Sequence, residues 1–85
     1  DVPAFPDAEV TVADLHARIR NTLDFISSVT PEQFNGGEDR AIKLVFPWAT
    51  YEFTGARYLT YWALPNFFFH VTTTYDILRH RGVSV

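Results

Sequence analysis

The chain has 85 residues, a formal net charge of −3 and no cysteine. A chain of this length forms one small domain with a marginal core, and without cysteine it has no disulfide, zinc–thiolate site or thiol nucleophile, a composition most simply expected in the cytoplasm. Its seven Lys and Arg residues are scattered along the sequence, which argues against an electrostatic nucleic-acid surface.

The first predicted element is an amphipathic helix that follows a proline-containing lead-in. Thr11 is suited to cap this helix, with Asp14 three residues on as the second half of a capping box. Apolar residues then recur at spacings of three and four, which predicts a helix with one narrow apolar face. The residues of this stripe are Val12, Leu15, Ile19, Leu23, Ile26 and Val29.

The middle of the chain predicts a short turn and then a β-hairpin. Pro31 suits the first position of a turn over residues 31–34, and Asn35-Gly36-Gly37 breaks the chain. Between residues 41 and 53, apolar and polar residues alternate around a Pro47-Trp48-Ala49 corner, as in paired strands. Because an isolated two-stranded ribbon is barely stable in water, we expect the hairpin to lie against the helices.

A second helix is predicted over residues 56–81, opening at Thr54-Gly55 and ending at Gly82. At about 100° per residue, its residues form two adjacent stripes that together cover more than half of the cylinder. Pro65 removes one backbone hydrogen bond, so we expect a bend near residues 61–64. The first stripe is Tyr61, Leu64, Phe68, Val71, Tyr75 and Leu78, and the second is Ala63, Phe67, His70, Thr74 and Ile77.

This second helix has more apolar surface than the first helix and the hairpin can cover. We therefore expect cover from outside the chain, either from a missing N-terminal half or from a second copy. The sequence thus predicts one partial domain over residues 1–85 that forms a homo-oligomer, and its start at Asp1 fits a fragment or a processed product. An uncovered stripe of Phe67, Phe68 and Phe69 with Trp62 predicts that the chain alone self-associates.

Several functions are excluded by what the sequence lacks. Its longest apolar run, residues 58–71, is about 14 residues long, whereas a membrane span needs roughly 20. No serine lies in a G-x-S-x-G elbow, and no glycine-rich loop is suited to cradle a phosphate. We therefore expect neither a membrane span nor a nucleophilic hydrolase.

His70 is the leading candidate for chemistry, since it lies near the middle of the wide apolar helix. Two interpretations are open: a core histidine hydrogen-bonded to a hydroxyl or carbonyl, or a metal ligand or general base. A helical metal pair needs a second ligand at i+3 or i+4, where Thr73 and Thr74 stand. Any metal on His70 therefore needs ligands from elsewhere.

A small polar pocket on the same helix is the candidate ligand site. It would be formed by Asn66, His70 and Thr74, with Tyr75 beside them in need of a partner for its hydroxyl. The alternative for Asn66 is a structural role, in which its side chain caps the carbonyl that Pro65 leaves free.

Three segments carry a resemblance to a known family: ADLHARIRNTLDFI (13–26), FTGARYLTYWAL (53–64) and PNFFFHVTTTYDILRHRGV (65–83). They resemble an uncharacterised, mostly bacterial family, a domain of unknown function, that is grouped by fold with the DinB and YfiT-like helical bundles. The resemblance implies an all-α, up-and-down four-helix bundle. This chain would be its C-terminal half, two long helices with a β-hairpin between them.

Members of the wider DinB-like group hold a divalent metal with three histidines, two of them close together on the last helix. Here only His70 corresponds to one of that pair, and Arg79 replaces the first histidine of the group's HHRGQ segment. We therefore expect no cofactor, with a divalent metal such as zinc or nickel as the alternative. The expected function is dimerisation or small-ligand binding without a catalytic motif, and the alternative is a metal-dependent enzyme that uses His70.

Overall fold

The structure is a computed structural model that describes residues 2–85. The chain divides into two compact units, the first ending at Phe34 and the second running from Asn35 to Val85. Each unit has its own helix, and the second also contains a β-hairpin.

The first unit consists of an extended lead-in, helix α1 (Val12–Ser28) and a 3₁₀ helix (Pro31–Phe34). The predicted capping box is confirmed. The Thr11 hydroxyl accepts from the Asp14 backbone N–H at 3.1 Å, and the Asp14 carboxylate accepts from the Thr11 N–H at 2.9 Å. These bonds stabilise the start of α1 because the first turn of a helix has no internal acceptors for its N–H groups.

Arg18 ties the lead-in to α1. Its Nη2 donates to the Pro6 carbonyl at 2.6 Å and to the Asp7 carboxylate at 3.0 Å, and its Nε donates to the Glu9 carboxylate. A guanidinium suits this role because its planar fork of donors serves several acceptors at once. One side chain thus fixes a segment that has no secondary structure of its own.

Acidification should release the lead-in from α1. The hydrogen bond from Arg18 holds the pKa of the Glu9 carboxyl below its ordinary value of 4.5. A depressed pKa means that this contact stabilises the unit at neutral pH, and the contribution is lost as the pH falls below that ordinary value through the folded pKa. Protection of the Arg18 Nε–H from exchange, followed by NMR, should disappear over that range.

The control for this titration is a second glutamate in the same unit. Glu9→Gln should abolish the protection of the Arg18 Nε–H at neutral pH, whereas Glu32→Gln should leave the whole pH profile unchanged. Protection that survives full protonation of Glu9 would show that the carboxylate does not hold the lead-in.

The second unit begins with a 3₁₀ turn (Gly37–Asp39) and an antiparallel hairpin of strands β1 (Ala41–Val45) and β2 (Thr50–Thr54). The predicted hairpin is therefore confirmed, with its second strand one residue longer than expected. Lys43 faces Glu52 across the pair, and their charged groups lie 4.0 Å apart in solvent. The opposite face carries the half-buried strand residues Ile42, Leu44 and Phe53.

A continuous helical rod follows, made of α2 (Gly55–Arg57), a π-helical segment (Tyr58–Ala63) and α3 (Leu64–His80). The backbone stays in the right-handed helical region at both junctions. The predicted start is confirmed, because the Thr54 hydroxyl caps α2 by accepting from the Arg57 N–H at 3.3 Å.

Pro65 explains the π-helical segment. It has no N–H for the carbonyl of Tyr61, and in an α-helix its ring would clash with that carbonyl. The wider π turn avoids the clash, and the Leu64 N–H donates to the Leu59 carbonyl five residues back. The sequence predicted a bend at this point. The structure shows a helical turn that contains more residues than an α-helical turn does. Leu59 therefore lies on the same side as Leu64, and Tyr61 is out of phase with the stripe predicted for it.

Gly82 ends α3, as predicted. Its φ of 86° lies in the left-handed region that glycine favours. The Gly82 N–H donates to the Arg79 carbonyl and the Val83 N–H to the Leu78 carbonyl, both at 3.0 Å. This is a Schellman motif, which satisfies carbonyls that the last turn leaves open.

An aromatic cluster joins the hairpin to the rod. Trp62 lies at its centre, with its ring centroid 5.2 Å from Tyr51, 5.9 Å from Phe46 and 5.9 Å from Phe53. Tyr58, one turn earlier, meets Phe53 edge-on at 6.1 Å. Aromatic pairs at these separations add to the stability gained from burial. Trp62 was predicted to be uncovered, and this was wrong, since the hairpin leaves it half-buried.

The predicted all-α fold class is wrong. Residues 2–85 are 60% helical and 12% strand, with a two-stranded antiparallel sheet beside three helices. The up-and-down four-helix bundle is therefore not the architecture of this chain. The physical reason is the aromatic cluster, which makes the hairpin a packed part of its unit, whereas the resemblance treated it as an insertion between helices.

Candidate functional site

The apolar residues of α3 are largely in solvent. Among residues 2–85, none is buried. Phe67, Phe68 and Phe69 are 59%, 59% and 62% exposed, so the prediction that these three rings are uncovered is confirmed. Their exposure matters because monomeric proteins rarely leave a large contiguous apolar patch in water.

One face of α3 has the pattern of a coiled-coil seam. Its members follow one another at spacings of four, three, four and three, as a and d positions do in a heptad. They lie roughly opposite Trp62, because residues two apart on a helix point about 200° apart. The hairpin therefore leaves this face free. We call it the α3 seam; it comprises Leu64, Phe68, Val71, Tyr75 and Leu78, which are 37% to 59% exposed.

The predicted polar residues lie along one face of α3. Asn66, His70 and Thr74 follow at intervals of four residues, so their side chains are neighbours on the helix. The Asn66 Nδ2 donates to the Trp62 carbonyl at 2.8 Å, so its side chain makes a structural bond, but to a different carbonyl from that of Tyr61, which lacks the Pro65 N–H. The Thr74 Oγ1 donates to the His70 carbonyl at 2.8 Å. Both side chains thus bond to their own helix, and Tyr75 lies on the seam beside them.

His70 is exposed, so within this chain it is not the core histidine of the first interpretation. Its ring lies 5.4 Å from that of Phe69 in an edge-on arrangement. The part of the chain that the structure describes contains no group of three His, Cys, Asp or Glu side chains able to hold a metal ion. A ligand or metal role for His70 stays a prediction.

Two open clefts in the first unit were missed by sequence reasoning. The larger, about 480 Å³, has only apolar lining residues, and the smaller, about 230 Å³, adjoins the Arg18 contacts. The sequence signal that could have revealed the larger cleft is the presence of Phe25 and Phe34 on either side of the turn at Pro31. The larger cleft has no polar lining side chain, and in the smaller one Glu9, Asp14 and Arg18 are already bonded within the first unit. The larger cleft is lined by Phe25, Ile26, Val29, Pro31 and Phe34.

A family model covers the whole chain. The model of DUF1993, a domain of unknown function, matches residues 1–85. The chain belongs to the DUF1993 family. The predicted membership of a family of unknown function is therefore confirmed, and a wider relationship between DUF1993 and the DinB and YfiT-like proteins stays a prediction.

No curated protein and no solved structure is significantly similar to this DUF1993 chain. Within residues 2–85, no helix is both long enough and apolar enough to cross a bilayer.

Proposed function

We propose that this DUF1993 chain is a self-association module whose apolar helices are covered by a second copy of the same chain. The observation that carries the proposal is the absence of any buried residue over residues 2–85, together with the free α3 seam. Without buried side chains, hydrophobic stabilisation does not offset the conformational entropy lost on folding. Folding and association would then be a single process.

The accessible surface supports an interface of the size found in dimers. The chain exposes 7636 Å², whereas a folded monomer of 9.8 kDa exposes about 5,200 Å². The excess is roughly 2,400 Å² per chain. Obligate homodimers bury about 2,000–5,000 Å² in total, counted over both partners, so one second copy is enough to cover this excess.

Sedimentation across a range of concentrations tests the proposal, and two adjacent phenylalanines provide a matched pair of variants. Phe68 lies on the α3 seam, and Phe69, equally apolar and similarly exposed, lies outside it. We expect the unsubstituted chain to sediment as a dimer. Phe68→Asp should weaken dimerisation by at least about 100-fold because it places a charge in an apolar interface, and Phe69→Asp should change it only slightly.

Two results would contradict self-association. One is a folded monomer at every concentration. The other applies if the natural protein is longer and its N-terminal half covers the seam. That longer protein would then be monomeric, and its isolated N-terminal half would bind the 85-residue chain.

Small-ligand binding is the second candidate, at Asn66, His70, Thr74 and Tyr75. It is supported by the exposed His70 ring on a face that the hairpin leaves open. Metal analysis of protein purified without chelator decides whether the ligand is a cation. Stoichiometric zinc or nickel that is lost in His70→Ala would favour the metal-dependent alternative over self-association alone.

A further inference from the structure

We propose that Asn35 is a self-modification site, at which the folded chain loses ammonia and becomes a mixture of aspartate and isoaspartate. The reaction needs no enzyme, because the attacking group is the backbone nitrogen of Gly36. Three features carry the inference: the Asn35-Gly36 sequence, the exposure of both residues, and the open space around Gly36.

The reaction is an attack by a backbone nitrogen on the side-chain amide that precedes it. The Gly36 nitrogen gives up its proton and bonds to the Asn35 Cγ, while the bond from Cγ to Nδ2 breaks and Nδ2 leaves with that proton as ammonia. Solvent water then opens the succinimide ring. Opening at Cγ gives aspartate, and opening at the backbone carbonyl carbon gives isoaspartate, in which the main chain runs through Cγ. Overall, water is consumed and ammonia is released.

The residue that follows an asparagine determines how easily this ring closes. A Cβ atom on that residue crowds the attacking nitrogen, and glycine has no Cβ. The chain has asparagine at positions 21, 35 and 66, and only Asn35 is followed by glycine. A Cβ atom added to Gly36 would meet nothing within 4 Å, so residues distant in the chain do not crowd the site either.

The fold leaves the Asn35-Gly36 peptide accessible. Both residues are exposed, and they lie after the 3₁₀ helix that ends at Phe34 and before the 3₁₀ turn that begins at Gly37. Neither therefore belongs to a regular element whose hydrogen bonds would have to break before the ring could close.

The two helical asparagines are internal controls. Asn21 lies in α1 and Asn66 in α3, where i to i−4 hydrogen bonds fix the backbone geometry. The Asn66 Nδ2 also donates to the Trp62 carbonyl at 2.8 Å. Both amides should therefore react more slowly than that of Asn35.

Isoaspartate would disturb the turn that follows it, because it adds one carbon atom to the main chain. The Gly37 backbone lies close to Gly55, where a Cβ atom would be 1.7 Å from the Gly37 carbonyl oxygen. The same oxygen accepts from the Arg40 N–H at 3.2 Å. The isoaspartate form should therefore unfold at a lower urea concentration than the aspartate form, which keeps the ordinary main chain. Equal urea midpoints for the two separated forms would overturn this consequence.

Peptide mapping by mass spectrometry tests the site in the intact chain. The protein is incubated under folding conditions and, in parallel, unfolded in guanidinium. In the folded chain, the peptide that contains Asn35 should gain about one dalton, at least about tenfold faster than the peptides that contain Asn21 and Asn66. The gain should be faster at mildly alkaline than at mildly acidic pH, since the Gly36 nitrogen attacks only after losing its proton.

Variants of neighbouring glycines separate the sequence effect from the fold. Gly36→Ala should slow the gain at least about tenfold because it restores a Cβ atom. Gly37→Ala keeps the Asn35-Gly36 sequence and should leave the rate unchanged. Alanine is disfavoured at the φ of 75° that Gly36 adopts, so the same pair is also compared in guanidinium, where the turn is absent.

The outcomes are distinct. A mass gain at Asn35 in the folded chain, within about tenfold of the rate in guanidinium, would support the site. A folded chain that keeps this amide while the unfolded chain loses it would show that the fold protects Asn35, and would overturn the proposal. Equal rates at all three asparagines would overturn the role of Gly36.

Discussion

Gly55→Ala should lower the free energy of unfolding of the second unit by about 3 kcal/mol, as overpacking against rigid backbone does. A Cβ atom at this position would lie 1.7 Å from the carbonyl oxygen of Gly37 and 2.8 Å from its carbonyl carbon. Both atoms belong to the backbone, so the 3₁₀ turn would have to move away from the start of the rod. The sign is opposite to that expected for an ordinary Gly-to-Ala change in a helix, which usually stabilises.

The other glycine of this contact is the control. A Cβ atom at Gly37 meets nothing within 4 Å, and its backbone is not in the left-handed region. Gly37→Ala should therefore stay within about 0.5 kcal/mol of the unsubstituted protein in urea denaturation followed by circular dichroism. Equal midpoints for the two variants would show that the close approach of the turn to α2 does not matter.

Trp62→Ala should detach the hairpin from the rod and cost about 3 kcal/mol, the lower end of the range for removing a large aromatic ring. Trp62 meets two rings of β2, Tyr51 and Phe53, and the ring of the corner residue Phe46, so it is the aromatic side chain of the rod that meets the most rings of the hairpin. Hydrogen exchange of the strand amides should speed up throughout β1 and β2. Unfolding in urea measures the loss of stability directly.

The second tryptophan is the matched control. Trp48 is 75% exposed and stacks on Phe46 at 5.1 Å, outside the contact between hairpin and rod. Trp48→Ala should cost less than about 1 kcal/mol, because an exposed ring loses little burial. Strand amides that remain protected in Trp62→Ala would show that the backbone pairing alone keeps the hairpin in place.

The local elements were largely predictable from sequence because their signals are themselves local. Thr11 with Asp14 gave a capping box, the alternation around Pro47 gave a hairpin, and Gly82 gave the end of α3, all confirmed. Each depends on a few neighbouring residues whose side chains or dihedral angles determine the structure without help from the rest of the chain.

The π-helical segment could not be predicted in the same way. Pro65 signals a disturbed helix, but whether the chain bends or widens depends on what packs against it. Here Tyr58 and Trp62 both meet the hairpin ring of Phe53, and the chain between them takes the wider π turn. The close approach of the Gly37 backbone to Gly55 could not be predicted either. Contacts between residues that are distant in sequence produce no periodic pattern in it.

The candidate site was only partly accessible to sequence reasoning. Spacing placed Asn66, His70 and Thr74 on one face, as the helix geometry requires. Spacing did not show that the side chains of Asn66 and Thr74 would donate to backbone carbonyls of the same helix. Those bonds depend on the rotamers of the two side chains. The breadth of the apolar surface on the second helix was a more reliable signal, because it predicted exposed apolar side chains from the composition of the whole helix circumference.

The extra residues in the turn before Pro65 have one more consequence. A one-residue deletion there that restored the α-helical path would keep the residues beyond it in nearly the same phase, because the π turn uses one extra residue for about the same rotation as an α-helical turn. Phe68 and its neighbours would then face the same direction, and only the side chains inside the turn would change position. Relatives that differ by a single insertion or deletion at this point would therefore present the same distal surface, with the difference in chain length absorbed in the turn.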